Sequence, residues 1–223
     1  LDNVVKYLDK TEPEEEEILP RISVCGRPNV GKSSLINTLL GKEKNIVTNQ
    51  AGTTRDAINS RYKKFGYDFY IVDTAGIRKK NKVNEDIEYY SVLRAIRSIE
   101  NTDVVLLLID ATRGFESQDQ KIFDLIQKNR KGVVLLVNKW DLIDKSKISI
   151  KEYSESIRQK IAPFVDVGIL YISATEKLRV LKVVEEAMSV YNRMSFRIST
   201  AELNKYLLDV VQETPPPSVK GKY

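Results

Sequence analysis

Four short stretches hold residue types whose chemistry depends on their spacing. "GRPNVGKS" (26–33) follows the apolar run "RISVC" (21–25) and opens a helical pattern. In that context G-x-x-x-x-G-K-S grips phosphate. Its glycines let the backbone curl so that the amides of Asn29, Val30, Gly31, Lys32, Ser33 and Ser34 face one anion. The positive end of the helix expected from Ser33 adds to that field. Lys32 would bridge the β- and γ-phosphates, and the Ser33 hydroxyl would ligate Mg2+. Forty residues on comes "DTAG" (73–76). Asp73 would hold the magnesium through a water, while Gly76, lacking a Cβ, brings its amide to the terminal phosphate.

The other two stretches would read a base. "NKWD" (138–141) ends another apolar run. The Asp141 carboxylate has two acceptors spaced for the N1–H and 2-amino group of guanine; adenine would leave it unpaired and repelled. Asn138 would tie this loop to the phosphate loop, and the Lys139 stem would lie along the base. Ser173-Ala174, ending the last apolar run, could offer a backbone N–H to guanine O6. Together these residues imply guanosine triphosphate with magnesium. Ile77 raises a question, because GTP-hydrolysing proteins often keep there a glutamine that orients the attacking water, and an isoleucine cannot hold one.

The elements that must position these residues alternate. Short β-branched runs stand at 21–25, 69–73, 103–110, 132–138 and 167–173. "INSRYKKF" (58–65) alternates polar and apolar ahead of Gly66, which predicts an edge strand in a hairpin. Between the strands lie helical faces: Leu35/Ile36/Leu39, Tyr89/Leu93/Ile96, Ile122/Leu125/Ile126, Tyr153/Ile157/Ile161 and Leu181/Val184/Met188. Ser117…Gln120, Ser149…Glu152 and Ser199…Glu202 have capping-box spacing. The pattern predicts a three-layer α/β fold: a mostly parallel six-stranded sheet, one antiparallel edge strand, and helices on both faces. Ligands then bind at the carboxyl ends of the strands.

Composition narrows the chemistry. The 223 residues contain no histidine, which removes His-assisted base catalysis and the commoner zinc sites. With one cysteine, Cys25, no internal disulfide forms, and a reducing cytoplasm is the default. No apolar run approaches the roughly eighteen residues of a membrane span. Residues 1–20 hold seven acidic side chains and two lysines, a balance of −5; the whole chain is +5, so the remainder carries +10. A basic body suits nucleic acid, and it equally suits a lysine-rich soluble surface. Leu1, Val4, Val5 and Leu8 mark one helix face, and "TEPEEEEILP" (11–20) reads as an extended, self-repelling linker or a solubilising arm. Beyond Met194, Leu203, Tyr206, Leu207, Val210 and Val211 form a new helical stripe.

Six stretches together, "GRPNVGKSSLIN", "AGTTRD", "DTAGIRKK", "IEYYSVLRAIRSIE", "VNKWDL" and "RISTAELN", resemble P-loop GTPases of the Era and tRNA-modification group. They are most similar to the Der (EngA) family, which carries two GTPase domains in tandem and then a KH-like domain. The resemblance implies that residues 1–20 are the end of a preceding GTPase domain with its acidic linker. It makes 21–194 the second GTPase domain and 195–223 the start of the KH-like domain. It also implies a bacterial, monomeric GTPase acting in assembly of the large ribosomal subunit, with ribosomal RNA as partner. The basic run Arg78-Lys79-Lys80-Asn81-Lys82 would suit that RNA or form a solvated switch loop.

In this group a hydrophobic residue replaces the glutamine, so Ile77 fits. Asn29 would help hold a potassium ion beside the β- and γ-phosphates, supplying the positive charge that an arginine finger gives elsewhere. Thr54 would complete the magnesium shell, and Arg55 is an alternative finger. Residues about 42–56 and 74–84 would order with GTP and release after hydrolysis. A tRNA-modification GTPase would share the motifs but lack "IEYYSVLRAIRSIE" and the KH-like start. A nucleotide-gated binding module without turnover of its own is the non-enzyme alternative.

Overall fold

A computed structural model describes residues 19–41, 59–72, 96, 98–144, 146 and 148–214. The elements run β1 (Arg21–Gly26), α1 (Lys32–Leu40), β2 (Ser60–Lys64), β3 (Tyr67–Val72), β4 (Val104–Asp110), α2 (Ser117–Lys128) and β5 (Gly132–Asn138). A 3-10 turn (Trp140–Leu142) follows, then α3 (Ile150–Ile161), β6 (Gly168–Tyr171), α4 (Val180–Ser195) and α5 (Thr200–Glu213).

The strands form one six-stranded sheet in the order β2-β3-β1-β4-β5-β6. Only the β2–β3 pair is antiparallel; β3–β1, β1–β4, β4–β5 and β5–β6 are parallel. The edge hairpin expected from 58–65 is present. Lys64 pairs with Tyr67 across a two-residue turn, in which Phe65 (φ 54°) and Gly66 (φ 79°) both take the left-handed conformation that such turns require.

Helices cover both faces, and the central strand shows it. Every residue of β4 is buried. Val104, Leu106 and Leu108 face a cluster with Leu35, Ile36 and Leu39 of α1 and Val183, Val184 and Ala187 of α4. Val105, Leu107 and Ile109 face Phe123 and Ile126 of α2 and Ile157 and Ile161 of α3. A strand covered on both sides cannot alternate polar and apolar residues, hence its unbroken apolar run.

Three details differ from expectation. The buried face of α4 is Val180, Val183, Val184, Ala187 and Val190, whereas Leu181 stays 43% exposed and Met188 is only partly buried. Small and β-branched side chains fill the seam between this helix and the sheet, and the larger Leu181 lies outside it. The N-cap of α2 is Glu116, one residue before Ser117, because Asp119 accepts the Glu116 N–H at 3.0 Å. Helix α1 begins at Lys32 and not Ser33. The Ser149–Glu152 and Ser199–Glu202 capping boxes form as expected.

The chain divides into two compact units, Leu1–Tyr191 and Asn192–Tyr223. Within the second, α5 carries the expected apolar stripe, yet none of its side chains is buried. Residues 1–18, which hold the expected helix face and all but the last two residues of the expected linker 11–20, lie outside the described residues, as do Tyr89 and Leu93. Among the described residues no helix is long and apolar enough to cross a membrane.

Candidate nucleotide site

Because β1, β4, β5 and β6 run parallel, the segments leaving their carboxyl ends gather at one end of the sheet. The first is the phosphate loop. Gly26 closes β1 at φ 141°, where a Cβ would come 2.5 Å from the Leu108 carbonyl oxygen. Asn29 adopts φ 62°, and Gly31 at φ 103° is the N-cap of α1. No side chain caps α1, and its first turn holds no acid. Helices α2, α3 and α5 instead carry Asp119, Glu152 and Glu202 there. The partial positive charge of the α1 N-terminus is thus not neutralised by a capping carboxylate. Lys32 turns back over the loop, donating from Nζ to the Gly26 carbonyl at 2.8 Å and the Arg27 carbonyl at 2.6 Å. Burial pulls its pKa below the ordinary lysine value, with Cys25 and Asp119 acting in the opposite sense.

The second segment leaves β5. Asn138 is 3% exposed and bonded at both ends: Nδ2 donates to the Val30 carbonyl at 2.8 Å, and Oδ1 accepts the Ala174 N–H at 2.9 Å. Lys139 takes a left-handed conformation (φ 63°) and donates to Asp110 Oδ2 at 2.5 Å. Asp110 Oδ1 meanwhile accepts from the Thr112 N–H and hydroxyl, at 2.9 and 2.7 Å. Burial alone would raise the Asp110 pKa, but the bonds from Lys139 and Thr112 outweigh it and hold the carboxyl below its usual range. Asp141 is exposed on the following turn, while Trp140 beside it is buried edge-on against Tyr153 and Tyr171. That aromatic floor is fixed in turn, since the Tyr153 hydroxyl donates to the Ala111 carbonyl at 3.0 Å.

The sequence-predicted residues 29–34, 138, 139, 141, 173 and 174 are therefore brought to one end of the sheet. Of the Ser173-Ala174 pair, expected to offer a backbone N–H to guanine O6, the Ala174 N–H is given to Asn138 at 2.9 Å and the Ser173 N–H to the Leu178 carbonyl at 3.4 Å. Ser33 is exposed in the first turn of α1. Thr54, Asp73, Gly76 and Ile77 lie outside the described residues. Sequence reasoning missed Arg27, Asp110 and Asp119. Their signals were present, since Arg27 directly follows the first glycine of the phosphate motif and both aspartates lie near strand or helix ends, but nothing in the spacing said which partners they would meet.

The loop fits an anion with a bound cation: backbone amides at an uncapped helix end, one ammonium, and the Ser33 hydroxyl. A parallel sheet with this loop after its first strand and an Asn-Lys-x-Asp loop after its fifth defines a P-loop GTPase domain. The chain belongs to the 50S ribosome-binding GTPase family, whose pattern matches residues 21–139. It is 58% identical to the GTPase Der of Bacteroides thetaiotaomicron over 221 residues, 99% of this chain and 51% of that protein. It is 56% identical to the GTPase Der of Flavobacterium psychrophilum over 210 residues, 94% and 48% of the two chains. The resemblance to the Der family read from the motifs is thereby borne out, and the chain spans about half the length of these relatives. Among solved structures, Era in complex with MgGDPNP and a stretch of 16S ribosomal RNA superposes with a TM-score of 0.59 at 30% identity, covering 77% of this chain and 56% of that one. An Aquifex aeolicus Era variant bound to GDP.AlF4- gives 0.59 at 31% identity, covering 76% and 56%.

Proposed function

We propose that this chain binds GTP with Mg2+ and hydrolyses it to GDP and phosphate, as the switch of a protein acting on the large ribosomal subunit. The observation that carries the nucleotide reading is the Asn138–Val30 bond, which joins a base-reading loop to a phosphate-gripping loop at one end of the sheet. In this reading the amides of 29–34 and the Lys32 ammonium hold the phosphates, and Asp141 selects guanine. Ser33, Thr54 and Asp73 hold Mg2+, whose role is to neutralise charge on the β- and γ-phosphates. Gly76 would sense the terminal phosphate, and Ile77 would take no part in holding the attacking water. Asn29, exposed and left-handed at the turn of the loop, holds K+.

The ribosomal part of the reading rests on the family and on the Der relatives. The resemblance to the Der family further makes 21–194 a second GTPase domain between an acidic linker and the start of a KH-like domain, in a cytoplasmic protein. Multiple-turnover phosphate release by this chain, in K+ and in Na+ buffers, tests the enzymatic core. We expect slow hydrolysis that is faster in K+. Indifference to the cation would remove the Asn29 role, and absence of both GTP binding and turnover would sink the reading.

A further inference from the structure

Arg27 occupies the phosphate loop yet turns its guanidinium onto the segment that opens α2. It is 4% exposed. Nε lies 3.0 Å from Asp119 Oδ1 and 2.9 Å from Oδ2, one terminal nitrogen donates to the Gly114 carbonyl at 2.9 Å, and the other rests against the Glu116 carboxylate. Asp119 is fully buried and also accepts the Glu116 N–H at 3.0 Å. At its other end Arg27 offers its main-chain carbonyl to the Lys32 ammonium at 2.6 Å. A single residue is thus clamped by its side chain to α2 and by its carbonyl to Lys32.

Apolar side chains of similar volume can hold a fold as well as a buried ion pair can. They cannot fix direction, which the planar fork of an arginine against a carboxylate does. An ammonium has three donors, and here the Gly26 and Arg27 carbonyls take two, so that their placement aims the third. We infer that Arg27 and Asp119 are positioning residues for GTP: the buried pair sets the Arg27 carbonyl, and that carbonyl sets the Lys32 ammonium against the phosphates. The inference rests on the GTP-binding reading above. Neither residue is catalytic, since each acts through Lys32.

The test is a double-mutant cycle on the full chain, with Asp119→Asn, Lys32→Ala and the pair. Asp119→Asn keeps an acceptor for the Glu116 N–H while removing the charge facing Arg27. Turnover number, KM and GDP affinity are measured beside the melting temperature. Misplacing a phosphate-bound group costs roughly 10–100-fold in rate. We therefore expect Asp119→Asn to lower kcat by about that factor with a smaller change in KM. In the Lys32→Ala background the same change should add almost nothing. Losses that multiply across the pair, or an unchanged kcat, would overturn the inference. If Asp119→Asn does not fold, Arg27→Lys carries the same cycle. If the unaltered chain binds GDP but does not turn over GTP, hydrolysis fails as a reading, and the cycle read in GDP affinity still decides the positioning role.

Discussion

The side-chain amide of Asn138 donates to the main-chain carbonyl of Val30 at 2.8 Å, across 108 residues of sequence. Its own oxygen accepts the Ala174 N–H, so one buried amide fastens the segments after β1, β5 and β6 to one another. The loop that would hold phosphates and the loop that would read the base therefore cannot shift independently.

Removing that fastening should be costly. Asn138→Ala leaves the Val30 carbonyl and the Ala174 N–H without their partner in a buried place, and each such group costs about 1–3 kcal/mol. We expect a clear drop in melting temperature, together with guanine-nucleotide affinity weakened by at least about tenfold, by the same free energy. Thermal melts and nucleotide titration check both; an intact affinity would show that the two loops are held together by something else.

Gly31 is the neighbouring constraint. A Cβ there would lie 2.2 Å from Asn138 Nδ2, and the backbone sits at φ 103°. Asn138 has no room to yield, being bonded on both sides. Gly31→Ala should cost about 1–3 kcal/mol from overpacking, with further strain from the left-handed φ. Phosphate binding should suffer more than in Asn138→Ala, because the displaced backbone itself supplies the amides. Comparing GDP affinity of the two variants decides this.

Asp110 should reveal itself in acid. Its folded pKa is depressed, so its pairing with Lys139 stabilises the protein above the ordinary Asp pKa of about 4 and is lost as pH falls through the lower folded value. Asp110→Asn should flatten that acid limb and loosen the Lys139 stem, weakening guanine-nucleotide affinity several-fold at neutral pH. Chemical denaturation from pH 7 down to about 3 measures the first effect and nucleotide titration the second. An unchanged acid limb would show that this carboxylate does not titrate against Lys139.

Tyr153 governs the alkaline side. Burial, aided by Tyr171 and Asp110, pushes its hydroxyl up to about 12. The unfolded chain ionises this group near pH 10 and the folded one does not. The contribution of this group should thus hold below about 10 and fall by about 2–3 kcal/mol between there and pH 12. Tyr153→Phe should remove that contribution, leaving those of Tyr62 and Tyr171, whose hydroxyls burial also pushes up, at a neutral-pH cost of about 1 kcal/mol for the lost bond to Ala111. The fluorescence of Trp140, packed edge-on against Tyr153, follows the unfolding.

How far the fold was legible depended on whether the signal was local. The hairpin could be read because Gly66 and the alternation of 58–65 act within a few residues, and Ser149 and Ser199 cap helices through partners three positions away. The α2 cap was misread because its choice was not local. Ser117 had the usual spacing, but the two carboxylates of Glu116 and Asp119 are held together by Arg27, which lies 92 residues from Asp119. The α4 face slipped for a similar reason: Val184 is buried as the period suggests, but which neighbours join it, Val180, Val183 and Ala187 and not Leu181, depends on how the helix lies on the sheet.

By itself the sequence determined the order of strands and helices, the phosphate loop and the Asn-Lys-x-Asp loop, since each depends on backbone preferences and on side chains close along the chain. It pointed Asn138 at the phosphate loop, but it could not name the Val30 carbonyl and the Ala174 N–H as its partners, nor show that Lys139 would lean on Asp110 or that Arg27 would be gripped by Asp119. Those are contacts between residues tens of positions apart, whose meeting is set by sheet order and helix packing. Only once β1, β4 and β5 lie side by side do they have partners at all.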